Sequence, residues 1–242
     1  METRVTAELA IEGISVRYGG VQALRDVSLS VAPGRVVGLI GPNGAGKTSL
    51  INAATGNVRL QAGGIRLGTL ALHRSPTFRI ARAGISRTYQ NIRLFAALTV
   101  RANLHAGAYR LRAVPSDAEA RILLARAGID GVPLDARAGG LPYGEQRRLE
   151  LARALATQPL TVLLDEPAAG MNPVETSALG SVIRSIASEG VGILLVEHDM
   201  SLVRAICDEV VVLNFGEVIA TGTPQHIAAD PAVIEAYLGT QA

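Results

Sequence analysis

A glycine-rich stretch at residues 41–49 constrains the fold of this 242-residue chain more than any other segment. It reads GPNGAGKTS and fits the phosphate-loop pattern G-x-x-x-x-G-K-[ST]. The apolar, β-branched run Val36–Ile40 that precedes it predicts a buried strand, and Lys47–Ala54 can start a helix. Backbone N–H groups in such a turn, together with the positive end of the helix dipole, attract phosphate. The stretch therefore predicts a strand, a turn and a helix that bind a nucleoside triphosphate.

Seven residues of this stretch are the candidate triphosphate ligands: Gly41, Asn43, Gly44, Gly46, Lys47, Thr48 and Ser49. In this interpretation the Lys47 ammonium reaches the β- and γ-phosphates, and the Thr48 hydroxyl is a ligand of Mg²⁺. Lys47 is the only lysine among the 23 Lys and Arg residues of the chain. A compact ammonium suits a point-charge role better than the planar guanidinium of arginine does. The lone lysine therefore argues against a chance match in a glycine-rich chain.

Composition limits the class of protein further. A chain of this length, 48% apolar, suits one large α/β domain with a sizeable core. The net charge is only +2 and tryptophan is absent, so nucleic acid is not an expected partner. The single cysteine, Cys207, predicts a reducing compartment. Because no apolar run reaches about 18 residues, we expect a soluble, cytoplasmic chain that can still dock on the inner face of a cell membrane.

The segment before the phosphate loop has the alternating pattern of β-strands. Residues 9–16 alternate, 18–20 read YGG, and 23–31 resume the pattern, which indicates two antiparallel strands around a turn. Tyr18 lies at this turn and is a candidate for stacking on an adenine ring. A partly exposed turn tyrosine is the equally plausible alternative. Beyond the phosphate-loop helix, residues 65–70 predict an edge strand.

A helical pattern rich in Ala, Leu and Arg runs from Asn91 to about Pro159 and predicts an inserted helical subdomain. Gln90 lies at the strand-to-helix junction just before it. The apolar residues Leu94, Phe95 and Leu98 lie near its start. They could contact a membrane partner or pack inside the subdomain, and the pattern favours neither interpretation.

A glycine turn near the end of this region predicts the start of another helix. Residues 141–145 read LPYGE, and we expect a helix over 145–156 whose N-terminus can attract phosphate. The chain already has one phosphate cradle, so a second is most simply explained as acting on the nucleotide of a partner subunit. The candidate nucleotide-binding residues of this second cradle are Leu141, Tyr143, Gly144 and Glu145.

Polar residues follow two further apolar strands. Asp165 and Glu166 come directly after the first, and His198 follows the second. Ligands of parallel sheets bind at the carboxyl ends of strands, so we expect all three to meet the phosphate loop. Asp165 would hold Mg²⁺, while Glu166 would polarise the attacking water. His198 could hydrogen-bond a γ-phosphate and couple it to Glu166. An acidic pair after a strand can also be a helix cap, and a lone histidine is often structural.

Taken in order, these motifs resemble the ATP-binding-cassette (ABC) ATPase family over essentially the whole chain. The resembling parts are its phosphate loop at 41–49, glutamine loop at Gln90, signature sequence at 141–145, second nucleotide motif at 161–166, D-loop at 168–172 and switch histidine at His198. The resemblance implies that Gln90 acts in catalysis with Glu166 and His198. It also makes Gln90 a candidate Mg²⁺ ligand beside Thr48 and Asp165.

The resemblance also implies an architecture and a set of partners. We expect an α/β P-loop NTPase fold with a RecA-like core and an antiparallel β subdomain, at about 1–90 and 159–242 of one domain spanning 1–242. The helical subdomain is expected at about 91–158. ATP and Mg²⁺ would bind between two head-to-tail ATPase subunits, identical or not, in which the signature of one covers the nucleotide of the other. Membrane permease subunits and, indirectly, a solute-binding protein complete the expected assembly.

Within the family, the chain is most similar to the ATPase subunits of branched-chain amino-acid importers. The similar stretches are YQNIRLF at 89–95, LPYG at 141–144, AAGMNP at 168–173, VEHDM at 196–200 and the ending at 230–239. This likeness implies ATP hydrolysis that powers amino-acid import. Urea and lipopolysaccharide transporters remain alternatives. A soluble ABC ATPase is less expected, since the chain lacks sustained heptads and a second cassette, and a phosphate-loop kinase would leave 141–145 unexplained.

The chain departs from the common signature Leu-Ser-Gly-Gly-Gln at three positions, with Pro142, Tyr143 and Glu145. Pro142 lacks a hydroxyl that could bond the γ-phosphate. Glu145 brings a negative charge near it, which the helix dipole offsets in part. Asn172 stands where the D-loop commonly has an acid. These departures predict that Glu145 weakens closure of the dimer.

Overall fold

Two β-sheets organise the chain. The computed structural model describes residues 6–108 and 114–238, so residues 1–5, 109–113 and the terminal stretch that includes Gly239 lie outside the description. The larger sheet consists of β3 (Val36–Ile40), β6 (Ile85–Arg87), β7 (Thr161–Asp165), β8 (Gly192–Val196), β9 (Glu209–Asn214) and β10 (Glu217–Gly222). Their spatial order is β10-β9-β3-β8-β7-β6.

Three central strands, β3, β7 and β8, are buried along their whole length. They run parallel, with β3 between β8 and β9 and with β7 beside β8. A parallel sheet that is covered on both faces needs apolar residues at nearly every strand position. The buried strands expected before the phosphate loop and before Glu166 are therefore confirmed.

The smaller sheet is antiparallel. It consists of β1 (Leu9–Tyr18), β2 (Val21–Val31), β4 (Ala62–Leu67) and β5 (Leu70–Ala71), in the order β2-β1-β4-β5. The hairpin expected around Gly19 is confirmed by the pairing of β1 with β2. The prediction of a single strand at 65–70 is wrong at both ends. Strand β4 begins three residues earlier, and Gly68, at φ 57°, turns the chain before β5.

The helices fall into two sets. One set covers the faces of the larger sheet, and the other packs around an apolar cluster of its own. The helices are α1 (Lys47–Ala54), α2 (Thr77–Ala83), α3 (Val100–Ala108), α4 (Asp117–Arg126), α5 (Tyr143–Leu155), α6 (Pro173–Ser188), α7 (Met200–Ile206), α8 (Pro224–Ala229) and α9 (Pro231–Leu238). Helix α1 has the predicted bounds. No helix in the described ranges combines the length and apolar character that a membrane span requires.

Helix α5 begins earlier than the sequence pattern indicated. The expected start was Glu145, but the first helical residue is Tyr143. Pro142 occupies the N-cap position with φ −52° and ψ 150°, close to the φ that its ring imposes. Gly144 therefore lies inside the first turn of α5 rather than in a glycine turn ahead of it, so that part of the prediction is wrong.

Helices α3, α4 and α5 pack around an apolar cluster of their own. Its fully buried members include Val100, Leu104, Ala120, Leu124, Leu149 and Ala152. The helical pattern expected from Asn91 starts too early, because residues 91–99 are not helical and α3 begins at Val100. Buried Asn103 instead holds the non-helical segment through Phe95, whose N–H donates to Asn103 Oδ1 at 2.9 Å and whose carbonyl accepts from Nδ2 at 3.1 Å.

Candidate nucleotide-binding site

The phosphate loop lies between β3 and α1, and its glycines are required by the backbone. Gly46 has φ 108°, and a Cβ there would lie 2.8 Å from the carbonyl oxygen of Ala23. A Cβ on Gly41, at φ 148°, would lie 2.1 Å from the carbonyl oxygen of Leu213. Conformation and space both exclude a side chain at these positions. The loop therefore presents bare backbone, as a close approach to phosphate requires.

A cleft of about 520 Å³ opens over this loop. Residues 43–49 line it, together with Gln90, Glu166 and four residues that sequence reasoning did not select: Val21, Gln22, Ala23 and Phe215. The structure thus brings six of the seven predicted loop ligands to one cavity. Gly41 is buried at the base of the loop.

Tyr18 is not brought to the cleft lining. Its side chain is 46% exposed, and the residue paired with it across the hairpin, Val21, faces the cleft instead. The aromatic residue that does line the cleft is Phe215, in the turn between β9 and β10, with 85% exposure and a positive φ of 44°. The feature that marks Phe215 is its positive φ, which is unusual for a non-glycine residue. This angle cannot be read from the sequence, so Phe215 was not predicted. Adenine stacking on Tyr18 remains a prediction.

The Lys47 ammonium points back across the mouth of the loop. It donates hydrogen bonds to the carbonyl oxygens of Gly41 at 2.6 Å and Pro42 at 3.0 Å. Burial lowers the pKa of Lys47, and the carboxylates of Glu166 and Asp165 oppose this shift. The ammonium is therefore partly desolvated, which strengthens its attraction for an anion.

Asp165 ends β7 and is buried in an ion pair. Its Oδ2 lies 2.9 Å from Nη2 of Arg87, the last residue of the neighbouring strand β6. The other terminal nitrogen of Arg87 donates to Oδ1 of Asn52 on α1 at 2.7 Å. Sequence reasoning missed Arg87 because no motif marks it. The available signal for Arg87 was its position, because it is a charged residue at the end of a strand that adjoins the buried β7.

Glu166, Gln90 and His198 come together as predicted. Gln90 Nε2 donates to Glu166 Oε2 at 2.8 Å, and His198 Nδ1 lies 3.9 Å from the same oxygen. Glu166 has a positive φ of 49°, and its N–H donates to the carbonyl oxygen of Val196 at 2.9 Å. Strained backbone of this kind is often found where a side chain must be aimed at a site. The three side chains can hold and move a proton or a water at the edge of the cleft.

Glu197 connects His198 to the segment after Glu166. It is only 1% exposed, and its carboxylate accepts hydrogen bonds from the N–H of Ala168 at 2.9 Å and of His198 at 3.2 Å. Burial raises the pKa of Glu197, and these backbone donors oppose the shift. Sequence reasoning treated this residue only as part of a likeness, so its structural role was missed.

The candidate residues of the second cradle lie elsewhere. Leu141, Gly144 and Glu145 line a separate cleft of about 550 Å³, and none of them lines the phosphate-loop cleft. The Tyr143 hydroxyl donates to the carbonyl oxygen of Ala169 at 3.1 Å. It also accepts hydrogen bonds from Arg147, whose guanidinium donates to the backbone carbonyls of Tyr89 and Gln90. Arg147 thus joins this cradle to the segment that carries Gln90.

Asn172 acts as a helix cap. Its Oδ1 accepts hydrogen bonds from the N–H groups of Val174 and Glu175 at 3.0 Å each, and Glu175 bonds back to the Asn172 N–H at 3.0 Å. This reciprocal pattern stabilises the start of α6. The amide that replaces a D-loop acid therefore keeps a hydrogen-bonding function.

The side-chain atoms predicted to bind a metal ion in this cleft are oxygen atoms. Within the described ranges no group of three or more His, Cys, Asp or Glu residues could hold a metal ion. The predicted donors are the exposed Thr48 hydroxyl, one Asp165 carboxylate and the Gln90 amide. Such a set suits Mg²⁺, which usually keeps several waters and binds through one or two protein groups and the substrate phosphates.

A bare glycine loop at a helix N-terminus, with carboxylates at the ends of neighbouring parallel strands, defines a phosphate-loop nucleoside triphosphatase. Comparison with known proteins specifies the family. Residues 24–169 match the family model described as ABC transporter, and residues 217–242 match the one described as branched-chain amino acid ATP-binding cassette transporter. The chain therefore belongs to the ABC transporter family, as the motifs predicted.

Individual relatives agree with this assignment over almost the whole chain. The chain is 42% identical to the high-affinity branched-chain amino acid transport ATP-binding protein BraF of Pseudomonas aeruginosa, covering 96% of this chain and 97% of the relative. It is 42% identical, with the same coverage, to the corresponding protein LivG of Escherichia coli K12. The fold matches the crystal structure of an ATP-binding cassette of an ABC transporter in its ADP conformation, with TM-score 0.87, 29% identity and coverage of 97% of this chain and 100% of the other.

These findings confirm the predicted fold class and activity. The chain is an ATPase subunit of the ABC transporter family. ATPase subunits of this family pair with transmembrane permease components.

Proposed function

We propose that this chain hydrolyses ATP to drive the import of branched-chain amino acids. The observation that carries the proposal is that one cleft unites the phosphate loop, Gln90 and Glu166, in a chain that resembles BraF and LivG along nearly its full length. The match at residues 217–242 to the branched-chain amino acid model supports the solute. Urea and lipopolysaccharide transport are less supported than amino-acid import.

In the proposed site, Thr48 and Asp165 would hold Mg²⁺, with Gln90 as a further ligand. When bound, the ion would neutralise charge on the β- and γ-phosphates. Lys47 binds the same phosphates through its ammonium. The backbone N–H groups of the phosphate loop bind them as well. Release of the Lys47 hydrogen bonds to Gly41 and Pro42 frees that ammonium for the phosphates.

Glu166 is proposed to orient the attacking water and accept its proton. Gln90 fixes the Glu166 carboxylate through the 2.8 Å hydrogen bond. His198 lies 3.9 Å from Glu166 with its side chain 64% exposed, so it can turn toward a γ-phosphate while staying near the base. Glu197 positions His198 by binding its backbone N–H.

The second cradle is proposed to act on the nucleotide of another ATPase subunit. Support comes from its placement, because Leu141, Tyr143, Gly144 and Glu145 do not line the cleft of their own chain. The N-terminus of the 13-residue helix α5 gives this cradle a positive dipole end for the γ-phosphate. The partner is a second copy of this chain or a non-identical ATPase subunit.

The permease is proposed to dock in a groove that we term the arginine groove. It holds about 400 Å³ and is lined by residues that include Arg87, Tyr89, Arg93, Phe95 and Arg153. We propose that residues 91–158 form a helical subdomain beside it. Arg87 and Arg153 are paired with Asp165 and Glu150 inside the chain, whereas Arg93, which lies against the Tyr89 ring, suits an acidic cytoplasmic segment of a permease subunit. We therefore propose that the chain works in the cytoplasm, on the inner face of the membrane.

Phe95 tests this docking and the proposed function together. The Phe95 ring is 52% exposed and lies 5.7 Å from Arg153 Cζ, whereas Leu94 is partly buried against the helical cluster. In cells whose only copy of this chain carries the substitution, Phe95→Ala should lower uptake of radiolabelled leucine at least about fivefold, because an exposed aromatic anchor is lost. ATP hydrolysis should then continue without matching transport.

The control for this experiment is Phe78→Ala. Phe78 is also exposed, at 56%, but it lies on α2 outside the arginine groove. Parental uptake in Phe95→Ala would refute the docking surface. Parental leucine uptake in cells without the chain, with loss of urea uptake, would refute the amino-acid assignment.

Glu145 is expected to weaken ATP-driven closure. It lies in the first turn of α5, near the position proposed for the partner's γ-phosphate. Glu145→Gln should lower the KM for ATP about fivefold, because it removes roughly 1 kcal/mol of like-charge repulsion. Steady-state ATPase assays measure this change. The exposed Glu235→Gln on α9 is the matched control, and an unchanged KM together with unchanged transport would show that the charge is immaterial.

A further inference from the structure

Arg87 lies between the nucleotide cleft and the arginine groove. Its side chain is only 9% exposed, and it binds Asp165 Oδ2 at 2.9 Å and Asn52 Oδ1 at 2.7 Å. Asn52 belongs to α1, the helix that starts with Lys47. Arg87 therefore ties the end of β7 to α1, the two elements that carry the proposed metal-binding carboxylate and the phosphate-binding ammonium.

The same side chain also reaches the groove. Arg87 Cζ lies 4.7 Å from the centroid of the Tyr89 ring, and Arg93 Cζ lies 4.2 Å from that ring. Guanidinium groups at such distances interact with the π-system of the ring. A segment that binds in the groove and displaces Tyr89 would therefore change the environment of the guanidinium that holds Asp165.

The buried pair is not explained by stability. Nε of Arg87 is buried and has no hydrogen-bond partner in the described part of the chain. A buried ion pair adds little stability relative to apolar residues of similar size, and an unpaired buried donor is destabilising. Departures from these rules are expected at functional sites. The placement of Arg87 between two such sites gives a reason for the departure.

We propose that Arg87 is a positioning residue that orients the Asp165 carboxylate for Mg²⁺ and transmits contacts made in the arginine groove to it. The inference rests on the metal-binding role proposed above for Asp165. By binding Oδ2, the guanidinium restricts rotation of the carboxylate. Its positive charge also weakens the attraction of Asp165 for a second cation. Loss of Arg87 therefore has two separable effects, slower turnover and a lower requirement for Mg²⁺.

Two substitutions of Arg87 separate orientation from charge. Arg87→Gln should lower kcat for ATP at least about tenfold. In the same variant, the Mg²⁺ concentration that gives half-maximal binding of fluorescent mant-ATP should fall about fivefold. Arg87→Lys keeps the charge, so its Mg²⁺ requirement should stay near the parental value. Its kcat should remain low, because an ammonium cannot replace the planar fork that binds Asp165 and Asn52.

Controls separate this inference from a purely structural role and from the proposed function. Arg82→Gln removes an exposed arginine of α2 and should match the parent in both measurements. A reduced kcat in Arg87→Gln with an unchanged or raised Mg²⁺ requirement contradicts the inference. Loss of Mg²⁺-dependent binding in Asp165→Asn, with parental behaviour of Arg87→Gln, overturns the Arg87 inference alone. Parental behaviour of Asp165→Asn overturns the metal site itself.

A substitution on the groove side tests the transmission and keeps the ion pair. Tyr89→Leu removes the ring that contacts Arg87 and should shift the Mg²⁺ requirement for mant-ATP binding at least about twofold. Phe78→Leu is the matched control, since Phe78 forms an exposed pair with Arg82 at 5.7 Å on α2. A parental Mg²⁺ requirement in Tyr89→Leu would show that the groove does not act on Asp165. This variant decides the question even if Arg87→Gln does not fold.

Discussion

Replacing Lys47 by alanine should lower the affinity for ATP by roughly 30- to 150-fold, which corresponds to about 2–3 kcal/mol for hydrogen bonds to a charged group. The structure gives the reason. Lys47 is the only lysine of the chain, its ammonium is partly buried at the mouth of the phosphate loop, and the cleft is lined by the loop residues 43–49. No other cation lines this cleft in the described part of the chain.

Calorimetric titration with Mg·ATP measures the effect. Arg59→Ala is a suitable control, because it removes an exposed cation just beyond α1 and should leave the affinity unchanged. Lys47→Arg keeps the charge but replaces the compact ammonium by a planar fork, so we expect it to bind ATP less tightly than the parent. Parental affinity in Lys47→Ala would mean that the triphosphate lies elsewhere.

Glu166→Gln should lower steady-state ATP hydrolysis by about 10²- to 10⁴-fold, the usual contribution of a general base. ATP binding should persist, because the amide has nearly the shape of the carboxylate and can still bond to Gln90. The variant should therefore accumulate as a closed, ATP-bound dimer. Size-exclusion chromatography with and without ATP, combined with an ATPase assay, measures both effects.

The control for Glu166 is Glu209→Gln, an exposed carboxylate at the start of β9. It should hydrolyse ATP at the parental rate and show no ATP-dependent change in size. If Glu166→Gln hydrolyses ATP as fast as the parent, another group accepts the proton. His198 is then the next candidate, since it lies 3.9 Å from Glu166.

Local patterns were sufficient to predict where the structure places the phosphate loop and Glu166, whose chemical roles stay predictions. The phosphate loop is one continuous segment, so its glycines, Lys47 and the bounds of α1 followed from a single motif. Asp165, Glu166 and His198 are distant in sequence from the phosphate loop, but the parallel sheet rule places the ends of β7 and β8 at the same edge of the sheet as the end of β3. The contact of Gln90 with Glu166 agrees with the predicted grouping.

Features that depend on tertiary packing were not predictable. Arg87 and Asp165 are 78 positions apart, and only the neighbouring positions of β6 and β7 bring them within 2.9 Å. Phe215 lines the cleft because of its positive φ and the course of a turn. The start of α5 at Tyr143 depends on how Pro142 is accommodated as a cap. None of these properties has a sequence period or a motif.

A single-turnover experiment shows whether the phosphate-loop cleft binds ATP and whether Glu166 is needed to hydrolyse it. Protein in excess is mixed with radiolabelled Mg·ATP, and the bound nucleotide is separated after quenching for the parent and for Glu166→Gln. We expect the parent to convert its bound ATP to ADP and phosphate, whereas the variant should bind as much ATP and retain it unhydrolysed. Equal rates of ADP formation, or no bound nucleotide in the parent, would contradict this expectation.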